Sequence, residues 1–265
     1  MKPDLAARPL ERIASAFGRP GRAAALMPYL MGGFPTIDAS RDIGVACADA
    51  GADLVELGIP FSDPLADGPV IHAAATTALQ AGATPAAVLD VCRTISERLP
   101  VVLMVYANVV LVDGAEAFVE RAAASGASGL IVPDLPHDEA NELRAVCRRH
   151  EIALVPLVAP TTPSERIEQI GRDATGFVYT VSLAGTTGER AQLPPALGET
   201  VERVRAATSV PVAVGFGIST AEQARAVAAV ADGVIVGSWL VRAAGEGGAA
   251  AVRTEVAKLA AGLDL

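Results

Sequence analysis

The chain has 265 residues, of which 51% are hydrophobic and 19% are charged, and this composition excludes an intrinsically disordered protein. The formal net charge is −9, because 30 acidic residues outnumber 21 basic ones, so the chain lacks the basic surface that binds nucleic acid or an anionic membrane. Only 4% of the residues are aromatic, which predicts a core of small and branched aliphatic side chains. We predict one domain over residues 1–265, in which residues 1–20 form an N-terminal extension with a helix.

The cysteines and the first residues of the chain bear on its cellular compartment. Cys47, Cys92 and Cys147 show no CxxC spacing, and their odd number argues against a disulfide framework, so we predict buried thiols in a reducing compartment. Residues 1–20 lack the continuous apolar run of a secretory signal, and the apolar run 101–112 is shorter than the roughly 20 residues of a membrane-spanning helix. The expected location is therefore the cytoplasm, with no membrane partner.

Short runs rich in β-branched residues alternate along the chain with longer, alanine-rich amphipathic stretches, which is typical of a parallel sheet covered by helices. Eight runs are predicted as strands, at residues 24–31, 53–57, 101–106, 129–132, 153–158, 177–181, 211–214 and 233–236. Eight helices are predicted between and after them, with starts near Ala39, Pro85, Gly114, Asp138, Pro163, Leu197, Thr220 and Gly248. Eight such units in about 250 residues indicate an α/β fold of the (β/α)8 TIM-barrel type, since an open doubly wound sheet more often has about five or six strands.

Two predicted loops are longer than the rest. After the second strand, the turn-rich segment 58–69 precedes an extra helix at 70–80. After the sixth strand, segment 182–195 contains Gly185, Thr186, Thr187 and Gly188 and few apolar residues. Long irregular loops in a compact barrel are usually functional, and closely spaced glycines favour a lid that closes over the mouth.

Two carboxylates are candidates for acid–base chemistry. Alternation along the second strand places Glu56 on the same face as Leu54, pointing into the barrel, where burial without a cation raises the pKa of a carboxyl group. The alternative is a structural glutamate paired with an arginine, although no arginine lies in the neighbouring predicted strands. Asp67 follows eleven positions later and could return over the same mouth, where two carboxylates can divide acid and base roles. It could equally cap the extra helix.

Glycine-rich segments follow the last two predicted strands, with the sequence VGFGIS at 214–219 and VGS at 236–238. Loops seven and eight of a barrel commonly hold phosphate, because glycine amides approach an anion closely and a helix N-terminus attracts it. Together with Gly185 and Gly188, these segments predict a phosphate site.

Several of the few aromatic residues fall near the mouth of the predicted barrel: Tyr29, Phe61, Tyr106 and Tyr179. Any one of them could be an ordinary core residue. Their common position favours an apolar pocket with flat walls. The three histidines lack the spacing of metal ligands, so we expect no metal site.

Residues 57–69, with the sequence LGIPFSDPLADGP, resemble the signature of the tryptophan synthase alpha chain family. Further similar segments follow in chain order around 28–29, 104–108, 133–136, 185–188, 215–219 and 237–238. The resemblance covers almost all of the chain after a short N-terminal extension. It implies a TIM barrel that cleaves indole-3-glycerol phosphate to indole and glyceraldehyde 3-phosphate by a retro-aldol reaction.

The resemblance also implies roles for single residues. By motif, Glu56 matches the general acid/base, Asp67 the carboxylate that binds the indole N–H, and Tyr179 the tyrosine beside the indole. Thr187 matches a lid threonine that meets the loop-two aspartate on closure. The phosphate site is implied at Gly188, Gly217, Gly237 and Ser238, and pocket walls are implied at Tyr29, Tyr106 and Phe216.

Two carboxylates suffice for the proton transfers of this reaction, so we expect no cofactor in this chain. The resemblance implies a partner, a pyridoxal-phosphate-dependent beta chain in an α2β2 assembly, with Asp63 and Asp134 on the partner-facing surface. A stand-alone lyase that releases free indole has the same active site and remains an alternative. A barrel retained mainly to activate a partner is a further alternative, against which Glu56 and Asp67 count.

The chain departs from the family pattern in a few places. Phe34 stands where an aspartate is common, Thr186 where a valine is usual, and Leu183 where polar residues often occur. Trp239 stands where a small residue usually follows the phosphate serine, so its bulky side chain beside Ser238 must pack away from the phosphate. None of these changes removes a catalytic group.

Overall fold

The computed structural model describes residues 7–181, 195–215 and 217–265. The strands in these ranges are β1 Ala25–Met31, β2 Val55–Gly58, β3 Val101–Met104, β4 Ala127–Ile131, β5 Ala153–Leu154, β6 Leu157–Val158, β7 Val178–Val181, β8 Val212–Gly215 and β9 Gly233–Val236. The helices are α1 Pro9–Phe17, α2 Ile37–Asp49, α3 Pro69–Gln80, α4 Pro85–Ser96, α5 Ala107–Leu111, α6 Ala115–Ala124, α7 Asn141–Arg149, α8 Ser164–Asp173, α9 Pro195–Ala207, α10 Ala221–Ala228 and α11 Ser238–Leu263.

The strands form one parallel sheet in the order β5-β4-β3-β2-β1-β9-β8-β7-β6. The first and last strands of this order are consecutive in the chain, so the sheet closes on itself through residues 153–158. The predicted TIM barrel is confirmed. The single strand predicted at 153–158 was wrong, because the structure divides it into β5 and β6.

The division of the predicted fifth strand has a local cause at Pro156, which has no N–H to donate to a ladder. The Val155 amide donates to the Leu130 carbonyl of β4 at 2.8 Å, and the Pro156 carbonyl accepts from the Tyr179 amide of β7 at 3.0 Å. Hydrogen bonding therefore passes from one neighbouring strand to the other at this point, and the barrel stays closed.

The helices follow the predicted order with three differences. Helix α7 begins at Asn141 rather than near Asp138, because residues 137–140 form turns. Helix α11 contains a break at Gly247 and Gly248, so the helix predicted near Gly248 is the second half of a longer element that begins at Ser238. The five-residue helix α5, directly after β3, was not predicted.

The core has two layers, one inside the barrel and one between the strands and the surrounding helices. Helix α1 closes the N-terminal end of the barrel, where Ile13 joins the inner layer and the Phe17 ring lies 5.5 Å from that of Phe177. The three cysteines are buried free thiols, as predicted. In the described ranges, no helix combines the length and the apolar character that crossing a bilayer requires.

A buried ion network joins the beginning and the end of the chain at the N-terminal side of the barrel. The Asp53 side chain is 1% exposed, accepts the Leu26 amide at 2.8 Å and lies 2.6 Å from the Arg19 guanidinium. Arg22, 4% exposed, lies 3.4 Å from the same carboxylate and 2.8 Å from Asp264 near the C-terminus. Breaking a buried, hydrogen-bonded pair leaves an uncompensated charge, so this network stabilises barrel closure at that end.

We expect Asp53→Ala to lower the free energy of unfolding by about 3 kcal/mol, because it removes the acceptor of Arg19 and of the Leu26 amide and the carboxylate beside the buried Arg22. Urea titration monitored by circular dichroism measures the change. The control is Asp38→Ala, which removes an exposed partner of Arg41 and is expected to cost about 0.5 kcal/mol or less. Equal losses in the two variants would contradict the assignment of a stabilising network.

Candidate active site

Glu56 lies in β2 with its side chain inside the barrel, as the alternation predicted. Leu54, two residues earlier, belongs to the inner core layer, whereas Val55 and Leu57 belong to the outer one. In the sheet, Glu56 is paired with Tyr29 of β1 and with Val102 of β3. Its carboxyl group therefore faces the interior near the ends of the first three strands.

The Glu56 carboxyl group is buried without a partner. The residue is 1% exposed, and neither carboxylate oxygen has a hydrogen-bond partner among the residues that the structure describes. Burial, and secondly the nearby charge of Asp67, raise the pKa of Glu56 to about 8. The structure thus does not support the alternative of a glutamate paired with arginine, and Glu56 holds its proton at neutral pH.

Asp67 is half-buried in the segment between β2 and α3. The N-cap of α3 is Gly68, without a side-chain capping bond, so the structure does not use Asp67 as the cap of this helix. Burial raises the pKa of Asp67, while a hydrogen bond from the Tyr106 hydroxyl and the nearby His72 oppose that rise. The two carboxyl groups are close enough to interact but have different surroundings, which suits separate acid and base roles.

Aromatic side chains surround the two carboxyl groups. The rings of Phe61 and Tyr106 are stacked with centroids 5.1 Å apart, and the Tyr106 hydroxyl accepts the Ala66 amide at 3.1 Å. Burial raises the pKa of Tyr106 to about 12 and raises those of Tyr29 and Tyr179 well above their ordinary value. All three tyrosines of the chain are therefore neutral and line the mouth.

Gly58 and Gly215 make room for tyrosines, a role that the sequence did not predict for either glycine. A Cβ atom at position 58 would lie 2.9 Å from Cζ of Tyr29 and closer still to its hydroxyl oxygen. A Cβ atom at position 215 would meet Tyr179 in the same way, with 2.9 Å to its Cζ. Tyr29 is paired with Glu56 and Tyr179 with Ala213, and each glycine stands two residues after the partner of its tyrosine. Only the strand register identifies these pairs, so the glycines carry no recognisable signal in the sequence alone.

The predicted phosphate residues that the structure describes lie after β8 and β9. Gly217 is exposed with a φ of 37°, and Gly237 is the N-cap of α11, in which Ser238 is the first residue. The first N–H groups of a helix have no acceptor within it and favour an anion. The Trp239 indole N–H donates to Glu255 at 3.1 Å, so this side chain is held by a residue of the second half of α11.

Three predicted site residues, Thr187, Gly188 and Phe216, lie outside the described residues. The two residues predicted to face a partner differ in their surroundings. Asp63 is exposed, whereas Asp134 is half-buried and accepts the Ala107 amide at 2.9 Å, which caps α5. The orientation of either residue towards a partner remains a prediction.

A separate cavity of about 430 Å³ lies outside the barrel, between α7, α8 and the segment after β4. Its charged wall is already paired internally, since Arg144 contacts the His137 ring at 3.0 Å and lies 3.6 Å from Asp173. Neither Glu56 nor Asp67 lines it. Within the described ranges, no group of three or more His, Cys, Asp or Glu side chains is placed to hold a metal ion.

The structure is a closed (β/α)8 barrel with two interacting carboxyl groups at its mouth, beside a helix N-terminus. These features place the protein in the class of TIM-barrel enzymes. The family model described as "Tryptophan synthase alpha chain" matches residues 18–263. The chain therefore belongs to the tryptophan synthase alpha chain family, which implies a lyase reaction in tryptophan biosynthesis.

Relatives and solved structures agree with this assignment. The chain is 48% identical over 236 residues to a tryptophan synthase alpha chain of Gloeobacter violaceus, covering 87% of this chain and 86% of that one. It is 50% identical over 227 residues to one of a Synechococcus species, covering 84% of each. Tryptophan synthase of Mycobacterium tuberculosis superposes with a TM-score of 0.88 at 38% identity, covering 98% and 100% of the two chains. One chain from the structure of the tryptophan synthase alpha2beta2 complex of Pyrococcus furiosus gives a TM-score of 0.84 at 38% identity, covering 90% of this chain and 98% of that one.

We expect Glu56→Gln to stabilise the protein at alkaline pH. The folded-state pKa of Glu56, about 8, lies above the unfolded value of about 4.3, so between these values the unfolded chain releases a proton that the folded chain keeps. The wild type therefore loses stability as pH rises through this window, while the glutamine does not titrate. The advantage of Glu56→Gln over the wild type should grow by at least about 2 kcal/mol from about pH 5 to pH 8.

Urea unfolding at the two pH values measures this change. The control is Glu120→Gln on the exposed face of α6, which makes the same change of side chain away from the barrel interior. A constant difference between Glu56→Gln and wild type would show that Glu56 has an ordinary pKa.

Proposed function

We propose that this chain cleaves indole-3-glycerol phosphate to indole and glyceraldehyde 3-phosphate in a retro-aldol reaction. The single observation that carries the proposal is the unpartnered, buried carboxyl group of Glu56, within electrostatic reach of Asp67 at the barrel mouth. A group with a pKa of about 8 holds a proton at neutral pH and can release it to a carbon atom held against it. Membership of the family supports the same reaction.

The proposed reaction transfers one proton through Glu56. The protonated carboxyl group gives its proton to C3 of the indole, which places a positive charge on the ring nitrogen, and Asp67 stabilises that charge. The emptied Glu56 carboxylate then takes the proton of the hydroxyl group on the adjacent glycerol carbon. That carbon becomes the aldehyde, and the electron pair of the broken carbon–carbon bond returns to the ring. Glu56 is protonated again at the end.

The surrounding residues favour this chemistry in the proposed site. Phe61, Tyr106 and Tyr179 provide flat, mostly apolar walls for an indole ring, and the low dielectric between them strengthens the interaction with Asp67. Gly237 and Ser238 open the first turn of α11 towards the same end of the barrel, where its N–H groups suit the phosphate. Gly217, and outside the described residues Gly188, would complete that site.

We further propose that the chain acts with a tryptophan synthase beta chain in an α2β2 assembly. Support comes from the similarity to one chain of the Pyrococcus furiosus alpha2beta2 structure and from the mouth itself. There Asp63 is exposed and the neighbouring Leu65 is 89% exposed, which fits a surface that a partner covers. The proposal needs no cofactor in this chain and assigns pyridoxal phosphate to the beta chain.

Glu56→Gln should lower kcat for indole release by about 1000-fold, because glutamine fills the same space but carries no transferable proton. Indole formation from indole-3-glycerol phosphate is measured with and without a tryptophan synthase beta chain from the same organism, and Glu120→Gln is the control. The wild type should be weakly active alone and more active with the beta chain. Full activity alone would favour the stand-alone lyase, and undiminished activity of Glu56→Gln would refute the role of Glu56.

Ser238→Asp should raise KM for indole-3-glycerol phosphate at least about tenfold. A carboxylate at the start of α11 repels the phosphate and accepts the backbone N–H groups that would otherwise bind it. Steady-state kinetics give the effect, which should weaken at high salt. Thr254→Asp, on an exposed part of the same helix, tests for a general effect of added charge. An unchanged KM in Ser238→Asp would place the phosphate elsewhere.

A further inference from the structure

Tyr29 has a position inside the barrel that its role as a pocket wall does not explain. It is paired with Glu56 in the β1–β2 ladder, and its ring leans along β2 towards the mouth until its hydroxyl group lies over Gly58. Gly58 is the next inward position of β2 after Glu56, because side chains alternate along a strand. The Tyr29 hydroxyl is therefore directed to the mouth side of the Glu56 carboxyl group, where a bound substrate would lie.

The Tyr29 hydroxyl is available to such a substrate. The residue is 4% exposed, and no hydrogen bond joins its hydroxyl to any residue in 7–181, 195–215 or 217–265. Burial, then the charges of Asp67 and Glu56, raise the pKa of Tyr29 well above its ordinary value. The phenol therefore keeps its proton at every working pH and acts as a hydrogen-bond donor rather than as a base.

The other two tyrosines differ from Tyr29 in their contacts. The Tyr106 hydroxyl already accepts the Ala66 amide at 3.1 Å. Tyr179 lies over Gly215 of β8 and is paired with Ala213, whereas Tyr29 is paired directly with Glu56. Of the three phenols, Tyr29 is thus the one that is the direct strand neighbour of Glu56.

We propose that Tyr29 is a further catalytic residue, whose hydroxyl donates a hydrogen bond to the substrate oxygen that Glu56 deprotonates. This inference rests on the proposed retro-aldol function. In that reaction the oxygen loses its proton to Glu56, and an electron pair of the oxygen forms the aldehyde C=O. At the same time the bond between this carbon and indole C3 breaks, and the electron pair of that bond returns to the ring. Tyr29 exchanges no proton in this step. Its dipole stabilises the negative charge that develops on the oxygen.

The test is Tyr29→Phe, which keeps the ring as a wall and removes only the donor. We expect kcat for indole release to fall about 100-fold, the effect of losing one donor to a developing oxyanion, while KM changes less than about threefold. A purely structural wall would change KM and leave kcat alone. Circular dichroism and urea unfolding check that the variant is folded.

Gly58→Ala provides a second route to the same prediction, because the added Cβ displaces the hydroxyl group without removing it. We expect Gly58→Ala to lower kcat, and Tyr29→Phe to cost less than about threefold in that background, since the donor is already misplaced. Wild-type kcat in Tyr29→Phe, or a full additional loss in the double variant, would overturn the role of Tyr29. Absence of indole from the wild type would instead overturn the proposed function.

Discussion

The burial of one carboxyl group without a partner is the constraint on which the rest of the mouth depends. Such a group is tolerated as a neutral acid, and its ionisation is unfavourable in the folded protein because neither oxygen has a hydrogen-bond donor within the described ranges. An arginine beside Glu56 would stabilise the ionised carboxylate. It would thereby lower the pKa of Glu56 and remove the proton that the proposed reaction needs. The unpaired Glu56 carboxyl group therefore lowers the stability of the mouth, but it stays protonated, as the proposed reaction requires.

The remainder of the barrel compensates for this local cost. Its inner layer consists of aliphatic and phenylalanine side chains below Glu56, and α1 covers its N-terminal end. At that end the arrangement is the opposite of that at Glu56. The buried charges of Asp53 and Arg22 have several partners, and these ion pairs link the two ends of the chain. Paired charges thus lie at the stabilising end of the barrel, and the unpaired carboxyl group lies at the end that the loops surround.

The two carboxyl groups are held by different kinds of contact. Glu56 is fixed by the strand ladder, whereas Asp67 follows Ala66, whose amide donates to the Tyr106 hydroxyl. Tyr106 immediately precedes α5, which Asp134 caps through the Ala107 amide. Two hydrogen bonds, joined by the peptide bond between Tyr106 and Ala107, therefore connect the segment after β4, which we predict to face a partner, with the residue that precedes Asp67.

The sequence by itself determined the eight strand–helix units, the extra helix after β2 and the inward direction of Glu56, because each depends on periodicity within a few residues. Tertiary structure decided the division of the fifth strand at Pro156, since that depends on which neighbour each backbone group meets. It also removed the capping interpretation of Asp67, because the N-cap of α3 is Gly68. The roles of Gly58 and Gly215 became visible only through strand register. Register and closure join residues far apart in the chain, and no local pattern encodes those distances.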